Sequence, residues 1–64
     1  MNIYQIKVKI RTGFFDSKTA IELVAADSSM KALEYFQLSL KRKYSEEFQD
    51  LIEIVEITFL EEIK

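Results

Sequence analysis

Sixty-four residues with no Cys, no His, no Pro and a single Gly make one small domain spanning 1–64. No disulfide or thiolate metal site can form, and without imidazole only carboxylates remain as ligands, weak ones suited to Ca²⁺ or Mg²⁺. The chain is 48% hydrophobic and 31% charged with a net charge of −2, the balance of a globular protein, not a disordered one.

A core this small rarely supplies more than about 3–5 kcal/mol, so self-association or a protein partner is the expected extra stabiliser. No apolar run approaches the roughly 18–20 residues of a membrane span, and the N-terminus lacks a secretory pattern. Together with the absence of Cys, this fits a cytoplasmic location. The charge is divided unevenly. Residues 1–43 hold eight Lys/Arg against four Asp/Glu, whereas residues 44–64 hold seven Asp/Glu against Lys64.

Residues 2–12 alternate. Tyr4, Ile6, Val8 and Ile10 share one side, and Gln5, Lys7, Lys9 and Arg11 share the other. That period of two marks a half-buried strand, read here as the middle of a sheet. A second strand follows at 18–25. With Asp16-Ser17 as a two-residue turn, Thr12 faces Ile21, Ile10 faces Leu23 and Val8 faces Ala25 on the apolar side, while Arg11 faces Glu22 on the other. Asp-Ser lacks the Gly or Asn that tight hairpin turns prefer, so a looser loop centred nearer Gly13 is the alternative. Phe14 is expected to cap the core. Phe15 is either an exposed anchor or a cover for the helix end.

A helix is expected over 28–43, with Asp27 as N-cap, or Ser28 or Ser29 one position later. Met30, Leu33, Phe36 or Gln37, and Leu40 form its apolar face. Lys41-Arg42-Lys43 closes it where cations favour the helix dipole. Residues 44–50 read as a polar connection, and β-branched density then favours a strand over 51–60. A helix is the rival there, because Phe48, Ile52, Val55, Phe59 and Ile63 also recur at helical spacing. As a strand, Leu51, Val55, Ile57 and Phe59 face the core; Ile52, Ile54, Glu56, Thr58 and Leu60 face away. Residues 61–64 read as a frayed tail.

The order strand–strand–helix–strand gives an α+β fold, a three-stranded antiparallel sheet of order 2-1-3 (ββαβ) with one helix on one face. Its layout, with Tyr4-Gln5-Ile6-Lys7-Val8 and Val24-Ala25-Ala26, resembles the archaeal ribosomal protein LX family. That family is basic and binds ribosomal RNA; this chain is acidic, and no function is carried over. Size, a Lys/Glu/Ile-rich composition and the lack of catalytic residues also look like small phage or plasmid accessory proteins, many of which bind and block a host protein.

Catalysis is not expected. The usual general base and nucleophile types are missing, and nothing suggests a pocket. There is no Gly-rich phosphate loop, and no cofactor, metal or small-molecule substrate is implied. Glu46, Glu47 and Asp50 lack the pattern of a calcium loop. The expectation is a non-catalytic protein-binding module, a self-associating inhibitor or adaptor acting through its open sheet face and its third-strand edge. Its contact residues would be Lys7, Lys9, Arg11, Phe15, Ile52, Ile54 and Glu56. The alternative is nucleic-acid binding along the Lys7/Lys9/Arg11 stripe, although that stripe has no aromatic beside it for base stacking.

Overall fold

The alternation of 2–12 survives as a central strand in the computed structural model, which describes residues 1–63. The elements are β1 (Asn2–Arg11), β2 (Ser17–Ala26), α1 (Ser29–Lys43), the one-turn α2 (Glu46–Gln49) and β3 (Ile52–Glu62). The sheet is antiparallel with order β2-β1-β3, and α1 packs on one face. This is the ββαβ arrangement expected. Tyr4, Ile6 and Val8 are buried beneath the helix, while Lys9 and Arg11 stay in solvent.

The β1–β2 register differs from the expected one. Val8 pairs with Ala20, Ile6 with Glu22, Tyr4 with Val24 and Arg11 with Ser17. The connection is a five-residue loop, 12–16, centred on Phe14, closed by the Thr12 N–H donating to the Asp16 carbonyl at 3.0 Å. No described residue has a positive φ, so this loop needs none of the backbone freedom that a two-residue primed turn demands. The shift inverts the faces of β2. Ala20, Val24 and Ala26 lie under the helix with Glu22; Ile21, Leu23 and Ala25 look the other way. The Arg11–Glu22 pairing does not form. Phe14 caps nothing, being 98% exposed.

Residues 52–60 are extended, not helical, with Leu51 in the turn before them, and their faces are also rearranged. Lys7 opposes Glu56 and Val8 opposes Ile54, leaving Val55 unpaired in a β-bulge; Ile3 opposes Glu61 and Tyr4 opposes Phe59, leaving Leu60 in a second. Each bulge resets the alternation. Ile52 and Ile54 before the first, and Ile57 and Phe59 after it, therefore share the helix side. The helical spacing of this segment joins Val55, on the open face, to Ile52 and Phe59 on the other, and so corresponds to no shared side. The strand continues to Glu62, and the Ile63 N–H donates to the Met1 carbonyl at 2.7 Å. Of the tail expected to fray, residues 61–63 are thus tied down, and Lys64 lies outside the described residues.

The N-cap of α1 is Ser28, not Asp27. The Ser28 hydroxyl accepts from the Lys31 N–H at 3.2 Å. Ala32 and Phe36 are the buried helix residues, with Leu40 packed beside them, whereas Met30 is exposed. The core is two small clusters, Tyr4-Ala26-Ala32 and Ile6-Val8-Phe36, flanked by Ile52, Ile54 and Ile57. Within 44–50, Ser45 caps α2 and Tyr44 stacks on Phe48 with ring centroids 4.6 Å apart.

The result is thin and long, 43 × 21 × 14 Å, with a radius of gyration of 12.6 Å against about 10.7 Å for a compact chain of this length. It exposes 5132 Å², where a folded monomer of 7.6 kDa exposes about 4,300 Å². A core this spare makes each terminal interaction measurable. Ser28→Ala is expected to lower stability by about 1 kcal/mol in urea unfolding, and Asp27→Ala by less than half of that. Equal losses would return the capping role to Asp27.

Candidate functional site: the open sheet face

The face of the sheet opposite α1 has no covering layer. Directly opposed residues in an antiparallel pair share a face, so the register assigns every side chain to a side. Along β1 the open face carries Ile3, Gln5, Lys7, Lys9 and Arg11; along β2 it carries Ser17, Thr19, Ile21, Leu23 and Ala25; along β3 it carries Glu53, Glu56, Thr58 and Glu61. The two bulges add Val55 and Leu60 next to Glu56 and Glu61. Ile21 and Leu23 are 58% and 60% exposed, and Val55 and Leu60 are 54% and 45% exposed. These aliphatics form two groups, one on each outer strand, separated by β1.

The face is arranged in three lanes. β2 contributes aliphatics, β1 cations and β3 carboxylates. Lys7 sits directly across from Glu56, and Lys9 across from Glu53. Neither pair closes to a salt bridge; the one ion pair within 4.0 Å among the described residues is Lys31–Glu34 on the helix, at 3.4 Å. The acidic lane nevertheless offsets the basic one at the distance of neighbouring strands, which weakens any phosphate-tracking field along β1.

Of the expected contact residues, Lys7, Lys9, Arg11 and Glu56 lie on this face, and Phe15 is fully exposed beside Phe14 at the hairpin tip. Ile52 and Ile54 do not belong here. The bulge at Val55 turns them toward the helix, where they pack against the Ile6-Val8-Phe36 cluster. Their place is taken by Ile21, Leu23, Val55 and Leu60. The period-two pattern of β2 contained Ile21 and Leu23, but the assumed turn put them on the wrong side. The tip aromatics border a shallow concavity with Arg11, Asp50, Leu51 and Glu53. Glu46 and Glu47 occupy the first turn of α2. No group of three or more His, Cys, Asp or Glu among the described residues could hold a metal ion. No helix is long and apolar enough to cross a membrane.

Side assignment has a direct consequence for stability. Ile54→Lys places a charge against the core and is expected to cost about 3 kcal/mol or more, enough to unfold the domain by circular dichroism. Leu23→Lys is expected to stay within about 0.5 kcal/mol of the parent. A tolerated Ile54→Lys would mean that β3 has no bulge at Val55, and an unfolding Leu23→Lys would mean that Leu23 faces the helix.

No family model, no curated protein and no solved structure matches this chain.

Proposed function

We propose that the chain is a small, non-catalytic protein-binding module of the inhibitor or adaptor type, self-associating and cytoplasmic, in the manner of phage or plasmid accessory proteins. Its partner is a protein with a flat apolar surface, seated on the open sheet face and gripped by the Phe14-Phe15 tip. The observation that carries this reading is the uncovered face itself, where Ile21, Leu23, Val55 and Leu60 stand in solvent. The aliphatics run along the two outer strands on either side of the Lys7-Lys9-Arg11 lane, and exposed aromatics at the tip supply anchoring residues. The surface in excess of that of a compact monomer supports the same reading, because burying it would supply stability that the small core lacks.

Nucleic-acid binding through Lys7, Lys9 and Arg11 is the weaker reading. The Glu53 and Glu56 carboxylates lie across from Lys9 and Lys7, and the lane offers no ring for bases to stack on.

Photo-crosslinking side chains at positions 15 and 23, introduced in the cells that make the protein, test the proposal. Discrete protein adducts are expected from both positions and not from position 34 on the solvent side of the helix; adding Leu23→Lys to the position-15 variant should remove them. Adducts to nucleic acid, or equal labelling from position 34, would overturn it. In parallel, a labelled single-stranded RNA titrated at low salt should show no binding that Lys7→Glu and Lys9→Glu abolish.

A further inference from the structure

The two sheet edges are built differently. β3 is interrupted by bulges at Val55 and Leu60 and carries Glu53, Glu56, Glu61 and Glu62. Bulges and like charges are the devices that discourage strand-on-strand pairing. β2 has neither. Its ten residues hold an unbroken register with β1, and their only charges are Lys18 and Glu22.

Backbone directions on β2 follow from two hydrogen bonds. The Arg11 N–H donates to the Leu51 carbonyl at 2.9 Å, and the Thr12 N–H donates to the Asp16 carbonyl at 3.0 Å. Odd-numbered residues of β1 therefore pair with β3 and even-numbered ones with β2. Because Val8 opposes Ala20 and Lys7 opposes Ile21, the even residues of β2 bond to β1. Thr19, Ile21 and Leu23 turn their N–H and C=O groups out to the free edge.

We infer that a second copy of this chain pairs with that edge. β2 lies antiparallel to β2 of the partner around a two-fold axis at Ala20, giving one continuous six-stranded sheet. Outward-facing odd residues must oppose odd residues, which leaves few registers. An axis at Glu22 sets Glu22 against its own copy. An axis at Ile21 leaves both charges opposite alkyl side chains. An axis at Ala20 sets Lys18 against Glu22 of the partner twice, at pairs without backbone bonds, where side chains approach closest.

The helix supports the same arrangement. Ser39 borders a concavity with Ala20, Ile21 and Glu22, while Gln37 and Lys41 border another with Ile52 and Ile54. The Ser39 flank of α1 thus overhangs β2. Tyr35, exposed, lies on that flank one helical turn before Ser39. The two-fold brings the helices of both copies onto one sheet face, with the Tyr35 flank of each turned toward the other.

Edge pairing deepens the self-association proposed above and leaves the open face free for the partner, so the two surfaces fail separately. Sedimentation equilibrium of the full chain should give a concentration-dependent mass rising toward twice 7.6 kDa. Lys18→Glu and Glu22→Lys, each alone, should weaken the dimer on the order of tenfold or more. Mixed together they should recover it as a heterodimer, since each then meets the opposite charge twice. Ile21→Pro removes only an edge-facing N–H and should give a folded monomer by circular dichroism. Leu23→Lys should leave the dimer intact. A monomer at every concentration would overturn the inference, as would a dimer indifferent to Ile21→Pro, a mixture that fails to recover, or a dimer lost on Leu23→Lys.

Discussion

Parity governs this molecule. β1 is hydrogen-bonded on both sides, and among the described residues its Tyr4, Ile6 and Val8 are the buried side chains that the sheet contributes besides Ala26. Side chains on a strand alternate with a period of two, so one residue more or less in a connection, or one bulge, sends every later side chain to the opposite face. Both neighbours of β1 carry apolar residues at odd and at even positions. Burial along β1 is therefore fixed by its own pattern, while burial along β2 and β3 is decided by how each strand is joined to it.

For β2 the outcome puts the smaller apolar side chains on the helix side. Ala20, Val24 and Ala26 lie beneath α1, and the larger Ile21 and Leu23 are left in solvent. Hydrophobicity alone argues for the reverse. Close approach explains the choice. Ala26 and Ala32 are both fully buried against Tyr4, so the start of the helix rests almost directly on the strand. Leucine at that contact would hold the helix away and open a void around the Tyr4 ring, and voids forfeit contacts on both walls. The connection agrees, since Asp16-Ser17 offers no residue suited to a tight primed turn, whereas the loop 12–16 closes with ordinary backbone angles.

Much of the fold is legible in the sequence for this same reason. The alternation of β1, the β-branched density of 51–60 and the capped run 28–43 each state a local preference, and each becomes the expected element. The open face with Lys7, Lys9 and Arg11 follows from β1 alone. What is not legible is any quantity set by counting residues across a junction: the β1–β2 register, the face of Ile21 and Leu23, and the inward turn of Ile52 and Ile54. No local signal marks Val55 as a bulge. The nearest to one is the adjacency of Ile54 and Val55, which breaks the alternation of apolar and polar residues.

The bulges of β3 have two effects at once. They gather Ile52, Ile54, Ile57 and Phe59 on one side, which lets a strand with mixed parity contribute to a core that has few other members. They also bend and interrupt the outer edge of that strand, already lined with Glu53, Glu56, Glu61 and Glu62, so that pairing there is opposed twice over. β2 has no such interruption, because its register with β1 is regular throughout. The asymmetry between the edges is thus a by-product of how the core was completed. A sheet whose third strand must bulge to bury its aliphatics keeps one straight, sparsely charged edge, and it keeps it on the strand over which the helix leans.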